Sequence, residues 1–229
     1  MEHVLAERGL CLTYLCDPTA IDELDQDRIL DDLSEDTDNG PYPWLTRSHL
    51  ADHDHLILVS DRSSGRHIAL LAADDCATER EDFLLLETVF VTPAARGQNL
   101  ARRMIALALL RIGGIRAVPS VVAAATRDPV CHRILRGVAR RFTTARFYPD
   151  LDSTTINFHT ATLARRIARE IRPRQLCQAL AQPFARDPRF ASMFGPCGPS
   201  SHHVLAILDM RGQDETTIFD DARRLYRSR

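Results

Sequence analysis

The stretch from Leu84 to Gly114 limits what this chain can fold into more than any other. It reads LLLETVFVTPAARGQNLARRMIALALLRIGG. Phe83 to Val91 is rich in Leu, Val and Phe, as a buried strand is. Pro93 ends it, and the polar turn Ala94-Ala95-Arg96-Gly97-Gln98 follows. From about Asn99 the pattern becomes helical, with Leu100, Met104, Leu107 and Ala108 on one face, until Gly113-Gly114 stop it. A strand, a tight turn and a helix N-terminus gather free backbone N–H groups and the positive end of a helix dipole. That arrangement suits a phosphate.

Around this stretch the chain reads as an alternation of strands and helices. Strands are expected at Leu10–Cys16, Leu56–Ser60, His67–Ala73, Val121–Ala125, Arg146–Tyr148 and Val204–Met210. Asp17-Pro18-Thr19 reads as a helix start, with Ile21, Leu24, Ile29, Leu30 and Leu33 in helical spacing. Residues 34–42 are rich in Asp, Asn, Gly and Pro and read as loop, and Thr46–Asp52 as a short helix. Asp74–Asp82 is expected to be a polar loop. Asp128 and Pro129 read as an N-cap with proline at the first helical position, opening a helix to about Arg141. Leu163, Ile167 and Ile171 stand four apart on an amphipathic helix over 160–171. Further helices are expected at Pro173–Phe184 and Pro188–Phe194, and a terminal one over Thr217–Tyr226 with Ile218, Phe219, Ala222 and Tyr226 on one side.

Val91-x-Pro93-x-x-Arg96-Gly97-x-Asn99-x-Ala101 resembles the acyl-CoA-binding motif of the GNAT superfamily of N-acetyltransferases. The family pattern is Q/R-x-x-G-x-G/A, usually preceded by V-x-P. Arg96 fits its first position and Ala101 its last, while Asn99 stands where a glycine is usual. Asn is the non-Gly residue that best tolerates positive φ, so the turn can survive the exchange. The resemblance implies an α/β mixed sheet of the GNAT acyl-CoA N-acyltransferase type, with acetyl-CoA as acyl donor. It covers roughly Leu10–Tyr148 and the last strand. One domain over 1–229 is expected, with a helical insertion over 159–203 before that strand.

By this resemblance the cofactor-binding residues are Val89, Phe90 and Val91 on the strand, and Arg96, Gly97, Gln98, Asn99, Leu100, Ala101 and Arg102 at the turn and helix start. Arg102 and Arg103 are both candidates for a CoA phosphate. The amide of Val89 or Phe90 is a candidate oxyanion donor. Glu87 is the base candidate. A carboxylate in an apolar strand is costly unless paired or facing a cleft, and burial raises its pKa toward the useful range. Many family members carry a tyrosine acid on the helix after the fifth strand; the matching position here is Gly137. His132 and Tyr148 are the remaining acid candidates, with water or loss of catalysis as the alternatives.

Net charge is −2, which favours neither nucleic acid nor membrane. No apolar stretch is long enough to cross a bilayer. The six cysteines form no CxxC pair and no disulfide-like framework, so a reduced cytoplasmic protein is the default. Cys197, His159, His202 and His203 match no standard zinc spacing, and no metal is expected. All 29 positive side chains are Arg; none is Lys. Glu35, Asp36 and Asp38 would draw a cationic acceptor, which makes a small-molecule or peptide amine the expected partner, with a homodimer left open. The competing function is a catalytically inactive GNAT-like CoA-binding or regulatory module.

Overall fold

The computed structural model describes residues 2–7, 9–34, 45–126, 128–152, 157–171 and 204–228. Among them are eight strands: β1 (Glu2–Glu7), β2 (Leu10–Cys16), β3 (His55–Asp61), β4 (His67–Ala77), β5 (Asp82–Val91), β6 (Val121–Thr126), β7 (Arg146–Tyr148) and β8 (Val204–Asp209). The helices are α1 (Glu23–Ser34), α2 (Ser48–Ala51), α3 (Leu100–Gly113), α4 (Pro129–Ala139), α5 (Phe158–Glu170) and α6 (Glu215–Arg227). The strands form one sheet in the order β1-β2-β3-β4-β5-β6-β8-β7. β1 to β5 pair antiparallel in succession, whereas β5 and β6 are parallel neighbours. The sheet is mixed, as the α/β reading of the sequence expects.

Several local expectations change. β1 is an added edge strand, paired to β2, that the sequence reading had not assigned. Asp17 does not open a continuous helix. It takes φ 61, the chain makes one 3-10 turn over Pro18–Ala20, and α1 begins only at Glu23. Leu24 is consequently exposed. The loop expected over Asp74–Asp82 is mostly strand: β4 runs on to Ala77 because Asp74, Asp75, Cys76 and Ala77 pair with Leu85, Leu84, Phe83 and Asp82. Polar side chains at a strand end need only one wet face. The expectations for residues 35–44 and 172–203, including Glu35, Asp36, Asp38, Cys177, Cys197, His202 and His203, lie outside the described residues.

The two sheet faces are covered differently. On one, Ile57, Val59, Leu71, Leu84, Leu86, Val122 and Leu208 pack under α3, α4 and α6. On the other, Leu56, Leu58, Leu70 and Phe90 meet α1 residues Ile29 and Leu33. Further along that face Phe83, Leu85, Ala123 and Ile207 meet α5 residues Leu163, Ala164 and Ile167, the helical spacing read from sequence. α3 is buried nearly all round rather than on one face, because α6 covers its outer side with Ile218, Ala222, Leu225 and Tyr226. Each fully buried side chain of this kind is worth about 1.5–3 kcal/mol. The helix that carries the turn is therefore held from both sides.

Polar ties fix the ends. Asp128 caps α4 as expected, its Oδ1 accepting from Val130 N at 2.7 Å. Asp221 of α6, fully buried, accepts from Thr143 N at 2.7 Å and from Thr143 Oγ1 at 3.1 Å, and pairs with Arg224. Asp209 accepts from Arg211 Nε and Nη2 at 2.9 Å and from Thr160 Oγ1 at 3.2 Å. Burial pushes the Asp209 carboxyl up, but these donors prevail and hold it below its ordinary range.

Candidate active site

β5 and β6 pair only at Leu84–Val122 and Leu85–Ala123. Beyond that point β6 continues to pair with β8, and β5 with β4. Among the described residues β5 and β6 share no ladder pair from Leu86 to Val91, while β5 stays paired to β4 there. Six residues of strand extend about 17–20 Å. The opening leads along β5 to the turn at its far end.

The turn after β5 is a second source of free donors. Its backbone hydrogen bonds stop at Arg96 N to Pro93 O and resume at Arg103 N to Asn99 O. Among the described residues the six amides from Gly97 to Arg102 have no backbone acceptor. Two left-handed residues curl them into a concavity: Gly97 at φ 86 and Asn99 at φ 58. The sequence reading of Asn99 as a residue tolerant of positive φ holds at this position. Its side chain makes no cap hydrogen bond to α3, so the helix N-terminus stays open. Successive amides in such a curl, at the head of a 14-residue helix, bind anions.

The arginines divide. Arg96 is exposed and its Nε donates to Val91 O at 3.3 Å, tying the turn back to β5. Arg103 is buried, with its guanidinium 5.2 Å over the Tyr226 ring, so it faces α6 and not the turn. Arg102 is half-buried and reaches from the first turn of α3 to α4. A Cβ built on Gly137 would stand 2.6 Å from its Nη2 and 3.0 Å from Cζ and Nε. The guanidinium thus lies against Gly137.

Glu87 sits at a β-bulge. Ala72 pairs with Thr88 and Ala73 with Leu86, so Glu87 is the extra residue on β5. The bulge switches the faces of the strand. Leu84 and Leu86 point to the α3 side, and so do Val89 and Val91, while Phe90 points to α1. Bulges re-aim side chains in this way and concentrate near functional sites. Glu87 is half-buried and its charge reaches Cys76. Burial first, then Asp74, Glu87, Asp54 and Asp75, push the Cys76 thiol up to about 11. Glu87 thus shares the neighbourhood of Cys76 with Asp54, Asp74 and Asp75, of which Asp74 pairs with His53 and Asp75 with Arg116.

The three catalytic candidates do not converge. Leu85, Ala123, Ile207 and Tyr148 lie in one row across β5, β6, β8 and β7. Tyr148 is three strands from β5, roughly 14 Å at the usual spacing and more across the opening. His132 is neither beside Glu87 nor on the surface. It is buried on α4, edge-on to Phe147 at 5.1 Å, and its Nε2–H donates to Pro149 O at 2.8 Å. The donor-binding candidates follow one another along the end of β5, the turn and the first turn of α3; Leu100 and Ala101 have buried side chains, so only their amides remain toward the turn.

Two surface depressions lie at the opposite end of the sheet from the turn. One is bordered by Cys16, Asp17, His53, Asp54, His55 and Asp75, the other by Arg146, His159, Asp209 and Arg211. In the first, Tyr14 OH lies 2.8 Å from buried His55 Nδ1, and Asp75 lies 3.0 Å from Nε2 but off the N–H direction. Among the described residues no group of His, Cys, Asp and Glu is arranged to hold a metal ion, and no helix is long and apolar enough to cross a membrane.

Gly137 was read from the sequence only as the position that matches the family's tyrosine, and the carboxylates Asp54, Asp74 and Asp75 were not singled out. A glycine inside a helical pattern was a usable signal for the first. The second needs the pairing of strands, which no local pattern gives.

No protein-family model matches the chain, and no curated protein matches it significantly. Solved structures similar to it include the diaminobutyrate acetyltransferase of Paenibacillus lautus in complex with its substrate and coenzyme A. That match has 12% identity and TM-score 0.46, over 89% of this chain and 97% of the other. The ribosomal-protein-S5-alanine acetyltransferase of Vibrio fischeri matches at 11% identity and TM-score 0.44, over 60% and 81%. An acyl-CoA N-acyltransferase from Pseudomonas aeruginosa matches at 18% identity and TM-score 0.39, over 52% and 80%. At these values no residue role passes from them to this chain.

Proposed function

We propose that this chain, with its GNAT-type fold, is an acyl-CoA-dependent N-acyltransferase that moves an acetyl group from acetyl-CoA to a primary amine. One observation carries the reading: six consecutive amides without a backbone acceptor head α3, beside the opening between β5 and β6. In this reading the donor's diphosphate lies in the curl from Gly97 to Arg102, and its pantetheine arm runs beside Val89–Val91. The amide of Val89 or Phe90 is the oxyanion donor in this reading. The amine nitrogen attacks the thioester carbon, a C–N bond forms and the C–S bond breaks. The nitrogen's proton passes to Glu87, and the departing thiolate takes a proton from water, since neither Tyr148 nor His132 lies beside Glu87. Asp54, Asp74 and Asp75 around Cys76 support a cationic acceptor, either a small molecule or a peptide amine.

Calorimetric or thermal-shift titration with acetyl-CoA, CoA and dephospho-CoA tests the donor. A ligand at a hundred times its Kd stabilises the fold by about 2.7 kcal/mol. An amine screen follows, with Glu87→Gln as the control. No shift with any CoA species would sink the proposal. The separation of Glu87, Tyr148 and His132 favours a second reading, a CoA-binding module without turnover. Binding of CoA with no product from any amine would select it.

A further inference from the structure

Glycine inside a helix lowers its stability, and α4 carries one at Gly137, in its last turn, with no positive φ to require it. What it provides is room. The Arg102 guanidinium lies flat on Gly137, within 2.6 to 3.0 Å of where any Cβ would be. At the other side Arg102 Nη1 is 3.4 Å from Asn99 Oδ1, a long contact that sets direction more than it binds. A guanidinium has five N–H donors. Among the described residues, the Asn99 contact is the single hydrogen bond Arg102 makes to the protein. Its guanidinium therefore spans from Asn99, at the turn, to Gly137 of α4.

We propose that Asn99 and Gly137 are positioning residues that hold Arg102 at the turn, where its guanidinium meets the diphosphate of the acyl donor. The inference rests on the acyl-CoA reading. It also accounts for Asn99: the residue adopts the left-handed turn, and unlike glycine it offers an oxygen to aim the arginine. Gly137 then sets specificity for a charged donor, because any side chain there evicts the arginine.

The decisive variant is Gly137→Ala. The atoms it displaces belong to the end of a flexible side chain, so the fold accommodates it. Alanine in the last turn of α4 should leave Tm at or slightly above the wild-type value. Affinity for CoA should nevertheless fall about tenfold, the value of one charge-assisted hydrogen bond. Arg102→Gln should give a similar loss, and the double variant no further loss, since both remove one contact. Asn99→Gly should weaken CoA less than either. Dephospho-CoA, which keeps the diphosphate, should show the same fold-losses, and the ratio of kcat/KM for acetyl-CoA over acetyl-pantetheine should fall in each variant. Wild-type CoA affinity in Gly137→Ala, or additive losses in the double variant, would overturn the proposal. A loss that disappears with dephospho-CoA would overturn its assignment to the diphosphate. Failure of the wild-type protein to bind any CoA species would remove the acyl-CoA reading itself, a result separate from these.

Discussion

Gly97 gives the sharpest test of where the donor sits, because the chain contains its own control. Gly97 has φ +86 and Gly9 has φ +81, and a Cβ at either meets nothing within 4 Å. Alanine at either position therefore clashes with no protein atom, and its cost is that of the left-handed backbone. That cost is about 1–2 kcal/mol for an L-residue. Alanine also removes freedom from the unfolded chain, which returns about 0.4–1 kcal/mol. The net loss is roughly 0.5–1 kcal/mol in both variants. For a chain of 229 residues, 1 kcal/mol corresponds to about 2 °C. Both variants should melt about 1–2 °C below wild type by differential scanning fluorimetry. They should part on titration with CoA. Gly97→Ala re-aims the amides that follow it and should weaken binding at least tenfold, whereas Gly9→Ala, in the β1–β2 turn, should bind within twofold of wild type. Equal CoA affinity in the two variants would refute the cradle at 97–102, and a large stability gap between them would refute the backbone argument.

Glu87→Gln should lower kcat by about 10²–10⁴-fold and remove the acidic limb of the pH–rate profile, as loss of a general base does; an unchanged profile would count against Glu87. Asp221→Ala leaves the Thr143 amide without its acceptor and should cost about 1–3 kcal/mol, read as a fall in Tm or in the urea midpoint. Asp209 has a depressed carboxyl pKa, so its contribution to stability is present above the unfolded value near pH 4 and is lost as pH falls below it. Asp209→Asn should accordingly flatten the acid limb of a stability–pH curve, and a curve superimposable on wild type would contradict the assignment. Burial also raises the Cys131 thiol to about 11, and Cys76 reaches a similar value. At pH 8 iodoacetamide should modify exposed Cys16 before either, as peptide mass mapping would report.

The local features of the cleft were legible in the sequence because they depend on neighbours a few residues apart. Pro93 ends a strand, Gly97 and Asn99 are residues that accept positive φ, Asp128 and Pro129 start a helix, and Leu163, Ile167 and Ile171 mark one helical face. These choices are fixed by sterics, caps and periodicity within a turn or two. The Asp17 helix start failed at the same scale, since its left-handed backbone and the 3-10 turn after it gave way to a helix beginning at Glu23.

What only the tertiary structure decided is which distant groups meet. The continuous apolar run of β5 hid the bulge at Glu87, because Leu, Val and Phe fit either face and their alternation carries no parity. The parting of β5 from β6 depends on where β8 pairs, more than 80 residues away in sequence. Arg103 reads from sequence as a phosphate ligand equal to Arg102, yet Tyr226 of α6 draws it away, and the space beside Gly137 receives Arg102 instead. Glu87, Tyr148 and His132 each look chemically able on their own. Their separation follows from strand order and helix side, which arise from long-range pairing and packing.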